Sequence, residues 1–279
     1  MAILVFGRSG QVGSELDIYE ETVCVGRDVC DLKSGVDCYT IIIDMLPTAV
    51  INAAAYTAVE LAEDSELDAI KINAEAPYFM ALACKKLDIP FIHISTDYVF
   101  DGKKEKPYVE TDSTFPLNAY GRSKLLGESS VRDVAGRFVI LRTSWVFSDS
   151  GKNFVSAIAG LAQNKTNLKV VCDQFGGPTH AADIAHTCIK MVSYLSQDIS
   201  NSGTYHYSGL PYVSWAEFAE QIISELDINV SISGVSTSEY GSRVVRPSNS
   251  RLNCDAVWVK FGIEACDWRS RLPSALDSG

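Results

Sequence analysis

Ala2-Ile3-Leu4-Val5-Phe6-Gly7-Arg8-Ser9-Gly10-Gln11-Val12-Gly13 is the stretch whose reading decides the fold. The unbroken apolar run before Gly7 reads as a strand covered on both faces, because a half-exposed strand would alternate apolar with polar residues. It runs straight into glycines at positions 7, 10 and 13, and a helical stretch follows, from Ser14 to about Tyr19. Strand, glycine-rich turn and helix, in that order, set a phosphate on a helix N-terminus. Gly7 permits the tight turn, Gly10 lets the backbone approach a pyrophosphate, and Gly13 lets the helix pack close to the strand. Gln11 and Val12 complete the expected dinucleotide-contacting set. The spacing is G-x-x-G-x-x-G rather than the more familiar G-x-G-x-x-G.

The same alternation continues down the chain. Thr22–Gly26, Ala49–Asn52, Phe91–Ser95, Phe138–Arg142 and Leu168–Cys172 read as the second to sixth strands, and Tyr205–Ser208 is strand-like. Between them, Ile41–Leu46 is helical until Pro47, and Ala58–Leu87 is helical with a break near Asp64 and Ser65. An inward-facing Asn73 in that run is suited to anchoring a neighbouring loop. Ala119–Val134, Asn153–Gln163 and Ala181–Leu195 are further helices, and Ser214 with Glu217 forms a capping box that opens a helix to Leu226. Strands alternating with helices predict an α/β fold, a Rossmann-type doubly wound parallel sheet. Residues 1–143 and 166–200 are assigned to that dinucleotide-binding part, and 144–165 with 201–279 to a smaller, mixed substrate-binding domain.

Bulk properties narrow the partners. The chain of 279 residues carries a net charge of −11, whereas a nucleic-acid binder presents basic surface. No apolar stretch approaches the ~20 residues that span a bilayer, and the apolar start is too short for a signal peptide and lacks its basic flank. A cytoplasmic protein, bound neither to nucleic acid nor to membrane, is expected. The eight cysteines contain no C-x-x-C pair and read as reduced thiols. The four histidines show no tight ligand spacing, so no catalytic metal is expected.

Tyr120-Gly121-Arg122-Ser123-Lys124 follows a turn-rich loop and opens the helix at 119. Residues four apart share a helix face, with Cβ atoms roughly 5–6 Å apart. An ammonium beside a phenol favours the phenolate and lowers a pKa that is ordinarily about 10, which fits Tyr120 for acid–base work. Ligands of open α/β sheets bind beyond the carboxyl ends of the strands. Thr96 and Asp97 end the fourth strand there, and the small residues Ala53, Ala54 and Ala55 follow the third, allowing close backbone approach. At the end of the second strand Arg27 stands where a 2′-phosphate would be read; a solvated loop arginine is the other reading.

Taken together, these pieces resemble the extended short-chain dehydrogenase/reductases, and within them the dTDP-4-dehydrorhamnose reductases. The matching segments are Gly7–Gly13, Asn52–Ala55, Ser95–Phe100, Pro116–Lys124, Arg142–Val146, Asp173–Thr179 and Arg246–Asn253, in order over almost the whole chain. The resemblance implies a catalytic set of Thr96, Tyr120 and Lys124. Reduced nicotinamide (NADPH, with NADH also admitted) would deliver hydride to C4 of a 4-keto-6-deoxy sugar nucleotide. It further implies that Asp31 and Leu32 cover the adenine. Thr96, Asp97, Trp145, Asn153, Arg246 and Arg251 would meet the nucleotide-sugar substrate, and a homodimer is compatible with it. The chain departs from the family pattern in a short segment after the first helix, in lacking an acidic residue at the second strand's end, and in overall length. Two further readings share these motifs: another sugar-nucleotide reductase or epimerase, and a non-catalytic NADP-binding regulatory subunit of methionine adenosyltransferase.

Overall fold

The computed structural model describes residues 2–277, so residues 1, 278 and 279 of the expected domains lie outside the described residues. Six parallel strands form the central sheet: β1 (Ile3–Phe6), β2 (Thr22–Val25), β3 (Ala49–Asn52), β4 (Phe91–Thr96), β5 (Phe138–Thr143) and β6 (Gly203–His206). Their spatial order is β6-β5-β4-β3-β1-β2. β1 therefore pairs with both β2 and β3, with Phe6 opposite Val25 on one side and Asn52 on the other. The chain reverses its direction of travel across the sheet at β1, and the crevice between β1 and β3 is where such sheets bind ligands.

Alternation along β1 shows why its sequence is apolar throughout. Ile3 and Val5 pack with Leu16 and with Ile184, Cys188 and Met191 of a helix on one face. Leu4 and Phe6 pack with Ile42, Met80 and Val131 on the other. Successive side chains point to opposite faces, and here both faces are covered by helices. The covering helices are α1 (Gln11–Leu16), α2 (Gly35–Met45), α3 (Ala76–Leu87), α4 (Ala119–Val134) and, beyond α5 (Phe154–Ala162), α6 (Ala181–Gln197).

The sixth strand differs from the sequence expectation. Asn167–Val171, expected as Leu168–Cys172 in the main sheet, instead pairs in parallel with Ser231–Val235 in a separate two-stranded unit. The sheet edge is filled by Gly203–His206 beside β5. The short apolar run around Val170 packs with Phe147, Ile158 and Phe218 in a second core; periodicity alone does not say which core a run will join. This second core includes α5 and α7 (Trp215–Glu225), whose capping box of Ser214 and Glu217 forms as expected.

The break expected near Asp64 and Ser65 separates short helices at Val59–Ala62 and Glu66–Ile70. A π-helical turn, Lys71–Glu75, then leads into α3. Such turns often mark functional positions, and this one carries Asn73. Its side chain accepts from the Tyr56 N–H at 2.8 Å, donates to the Tyr56 carbonyl at 3.1 Å and donates to Ser123 Oγ at 2.9 Å. The loop after β3 is thereby tied to α4, as the sequence suggested. All eight cysteines are free thiols, and the least covered is Cys172. Among the described residues no cluster of His, Cys, Asp or Glu is placed to hold a metal, and no helix is long and apolar enough to cross a membrane.

Candidate active site

The glycine turn shapes one end of a cleft of about 710 Å³ that runs over the carboxyl edge of the sheet. Gly7 adopts φ 108°, and a Cβ there would lie 2.8 Å from the Ala54 nitrogen. A Cβ on Gly13 would collide with the Gly7 carbonyl oxygen. Gly7 thus lets β1 approach the loop after β3, and Gly13 lets α1 press onto the turn. Gly10 caps α1 in extended conformation and faces the cleft. Gln11 Oε1 accepts from Ser148 Oγ at 2.8 Å, pinning the turn to the segment after β5.

Most of the residues singled out from the sequence meet on this one cleft wall. Gly7, Gly10, Gln11, Val12, Arg27, Asp31, Leu32, Ala53, Ala54 and Ala55 line it at one end, and Thr96, Asp97, Tyr120, Lys124 and Trp145 line it further along. Gly13 stands behind the wall, as its packing role requires. Two buried polar atoms on this wall, Asp97 Oδ2 and Thr143 Oγ1, have no hydrogen-bond partner among the described residues. Buried polar groups are rarely left unpaired without a functional reason. The Cβ-free turn and these waiting polar atoms fit a dinucleotide with a polar substrate beside it.

The reactive end is built on α4. Asn118 caps the helix by accepting from the Gly121 N–H at 2.9 Å, and the Ala119 N–H donates to Glu63 Oε1 at 2.7 Å. A cap of this kind is worth about 1 kcal/mol, and here it also fixes the first turn, which bears Tyr120. The Tyr120 ring is half-buried and meets the Tyr98 ring edge-on at 5.6 Å. Thr96 Oγ1 donates to Asp97 Oδ1 at 3.1 Å and accepts from the Tyr98 N–H at 3.2 Å.

The electrostatics correct one sequence expectation. Lys124 does not acidify Tyr120. Burial pushes the phenol up to about 12; a hydrogen bond with Thr96 opposes the rise and the charge of Asp97 adds to it. Lys124 instead donates its Nζ proton to the Ile94 carbonyl at 2.7 Å. Its own pKa is lowered to about 8 by burial, which the Glu128 carboxylate partly offsets. Burial also raises Asp97 to about 6, against the lowering influence of the nearby Ser250 and Thr96 hydroxyls. Desolvation disfavours charge on every one of these groups, and on this wall it outweighs the pairwise attraction.

Glu128 lies one turn beyond Lys124 on the same helix face and is fully buried. Its carboxylate accepts from Arg142 at 2.8 and 2.7 Å and from Ser95 Oγ at 2.6 Å. Burial alone would raise its pKa, but Arg142 and Ser95 outweigh it and hold the group below its ordinary value. Nothing local in the sequence marks this contact, because Ser95 and Arg142 sit on neighbouring strands that only the sheet register aligns.

Beyond Tyr120 the wall turns aromatic. Trp145 adopts φ 47° and stacks on Trp215 with ring centres 3.5 Å apart and planes 8° from parallel. Trp215 opens α7 and lines the cleft, a role that sequence reading missed because its only local signal was the capping box beside it. Three residues are not brought to the cleft wall. Asn153 caps α5 and donates to the Ser148 carbonyl at 2.9 Å. Arg246 donates to Glu60 at 2.8 Å and to Ser242 Oγ at 2.8 Å. Arg251 is held by Asn249 Oδ1 at 2.8 Å and the Glu105 carbonyl at 2.6 Å.

Comparison with known proteins agrees with this arrangement. The family model described as RmlD substrate binding domain matches residues 1–279. A dTDP-4-dehydrorhamnose reductase of Burkholderia thailandensis is 41% identical over 285 residues, covering 96% of each chain. The crystal structure of a dTDP-4-dehydrorhamnose reductase from Clostridium acetobutylicum superposes with a TM-score of 0.93 at 33% identity and covers 99% of each chain. That of the Bacillus anthracis reductase in complex with NADP gives a TM-score of 0.93 at 30% identity over 100% of each chain. With the glycine turn, Thr96, Tyr120 and Lys124 on one wall and the match running the full length, the chain belongs to the dTDP-4-dehydrorhamnose reductase family.

Proposed function

We propose that the chain reduces the C4 ketone of dTDP-4-dehydro-L-rhamnose to give dTDP-L-rhamnose, with NADPH as reductant and NADH as a second choice. The observation that carries this reading is the single cleft that joins the glycine turn to Thr96, Tyr120 and Lys124 and ends at the Trp145–Trp215 stack. The NADP complex of the Bacillus anthracis relative supports the choice of cofactor. The non-catalytic reading has nothing in its favour here, since Thr96, Tyr120 and Lys124 all face the cleft.

When bound, reduced nicotinamide supplies the hydride. The chain's own residues do the rest. Tyr120 holds a proton on its hydroxyl at neutral pH, as any phenol does, and releases it to the substrate oxygen as that oxygen gains negative charge. Thr96 orients the same oxygen from the end of β4. Lys124 would hold the nicotinamide ribose and would lend positive charge to the reacting end of the cleft. Asp97 takes a sugar hydroxyl on its unpaired oxygen. Arg27 would hold the 2′-phosphate, and Asp31 and Leu32 would cover the adenine.

The sheet-bearing part would take the dinucleotide. The layer containing Trp145, α5 and α7 would take the sugar nucleotide, with Asn153, Arg246 and Arg251 reaching the substrate only after leaving their present partners. We place the reaction in the cytoplasm, with a homodimer as the assembly to check by light scattering.

The test is direct: incubate the protein with dTDP-4-keto-6-deoxy-L-mannose and NADPH or NADH, and follow the absorbance of the reduced nicotinamide band. Loss of that band in a substrate-dependent manner is the expected result; no loss with either cofactor would refute the proposal.

A further inference from the structure

One pair of buried groups has no part in the chemistry above. Cys30 lies in the turn after β2, where its N–H donates to the Gly26 carbonyl at 3.0 Å. Cys38 sits in the first turns of α2 with its side chain fully covered. Their Sγ atoms are 3.4 Å apart. Both belong to the core beneath β1 and β2, in company with Val25, Leu32 and Ile42. Cys30 also forms part of the cleft wall, beside Gly26, Arg27 and Leu32. Among the described residues no other two thiols are hydrogen-bonded to each other.

We propose that Cys30 and Cys38 form a peroxide-sensitive dithiol, whose oxidation to a disulfide alters the cofactor end of the cleft. Closure needs the sulfurs to move from 3.4 Å to about 2.05 Å, a shift of roughly 1.3 Å shared between a turn and a helix. The two thiols are chemically unequal. The hydrogen bond from Cys38 holds Cys30 below its ordinary pKa, against burial, while the same bond and burial push Cys38 up. Cys30 is therefore the attacking sulfur.

The Cys30 thiolate attacks one oxygen of hydrogen peroxide; an S–O bond forms, the O–O bond breaks, and the departing hydroxide takes up a proton as water. The Cys38 sulfur then attacks the Cys30 sulfenic acid; the S–S bond forms, the S–O bond breaks, and the Cys38 proton leaves with the hydroxide as a second water. Two thiols lose two electrons and two protons, and one peroxide receives them. Because the same turn carries Arg27, its displacement changes the wall next to the 2′-phosphate position. Bound dinucleotide in turn covers the approach to Cys30. This coupling rests on the cofactor reading given above, but formation of the disulfide does not.

The experiment treats the full chain with hydrogen peroxide, with and without NADP⁺, blocks the remaining thiols with iodoacetamide, and maps peptides by mass spectrometry. A Cys30–Cys38 cross-linked peptide, reversed by dithiothreitol and absent from Cys30→Ser and Cys38→Ser, is expected. NADP⁺ should slow its appearance, and the oxidised protein should bind NADP⁺ roughly 5-fold or more weakly than the reduced protein. Oxidation of the exposed Cys172 without the cross-link, or sulfinic acid on Cys30 in its place, would overturn the dithiol. A cross-link that leaves NADP⁺ affinity unchanged would overturn the switch. A protein that cross-links but never binds NADP⁺ points instead to failure of the cofactor reading.

Discussion

Lys124 and Ile94 are joined by a hydrogen bond of 2.7 Å from the Lys124 ammonium to the strand carbonyl, and this bond aims the cation at the floor of the cleft. With burial lowering its pKa to about 8 and Glu128 pulling it back, Lys124 is poised near the edge of its charged range. If the charged form is the working form, activity falls as pH rises through about 8. Glu128→Gln removes the offsetting charge, so this alkaline limb should move to lower pH, by roughly one unit. The pH dependence of kcat/KM checks this, and an unmoved limb would dissociate Glu128 from Lys124.

Tyr120→Phe removes the phenolic proton and leaves the glycine turn untouched. NADPH affinity should stay within about 2-fold while kcat falls by roughly 10²-fold or more. Fluorescence titration and steady-state kinetics separate the two, and near-normal turnover would remove Tyr120 from the mechanism.

Arg27 lines the cofactor end of the cleft but makes no hydrogen bond to another side chain among the described residues. Arg27→Ala should raise the Kd for NADPH by about 10-fold, an amount fitting one charge-assisted contact, and leave NADH nearly unchanged. Equal losses for both cofactors would show that Arg27 does not read the 2′-phosphate.

Trp145→Ala exposes one face of Trp215, stacked on it at 3.5 Å. An aromatic pair is worth about 0.5–1.5 kcal/mol beyond its buried area. The substrate KM should rise by roughly 10-fold with cofactor affinity preserved. A fall in kcat at constant KM would place this tryptophan elsewhere in the mechanism.

Asp97 offers a stability test with a defined sign. Its pKa is raised from 3.8 in the unfolded chain to about 6 in the folded one. The folded state thus binds more protons between those values, so the group's destabilising contribution is absent below the lower value and complete above the upper one. At about 1.4 kcal/mol per unit the full effect approaches 3 kcal/mol. Asp97→Asn should therefore stabilise the protein against urea at pH 7, show little gain at pH 4, and lose turnover. A variant less stable at pH 7 would mean that the hydrogen bond from Thr96 and the nearby Ser250 hydroxyl outweigh the relief of burial.

The sequence by itself determined the β-α-β order, the glycine turn, the break before Glu66 and the capping box at Ser214, because each depends on neighbours within a few residues. Most of the residues it named do line the cleft, since the carboxyl ends of parallel strands converge wherever the sheet is doubly wound. Only the tertiary structure decided which run became the sixth strand: Asn167–Val171 and Gly203–His206 are both short and partly apolar, and packing against Phe218 or beside β5 chose between them. It alone paired Trp145 with Trp215, Glu128 with Arg142 and Cys30 with Cys38. And it reversed the expected acidity of Tyr120, because desolvation belongs to the assembled cleft and no spacing along a helix records how much water the fold excludes.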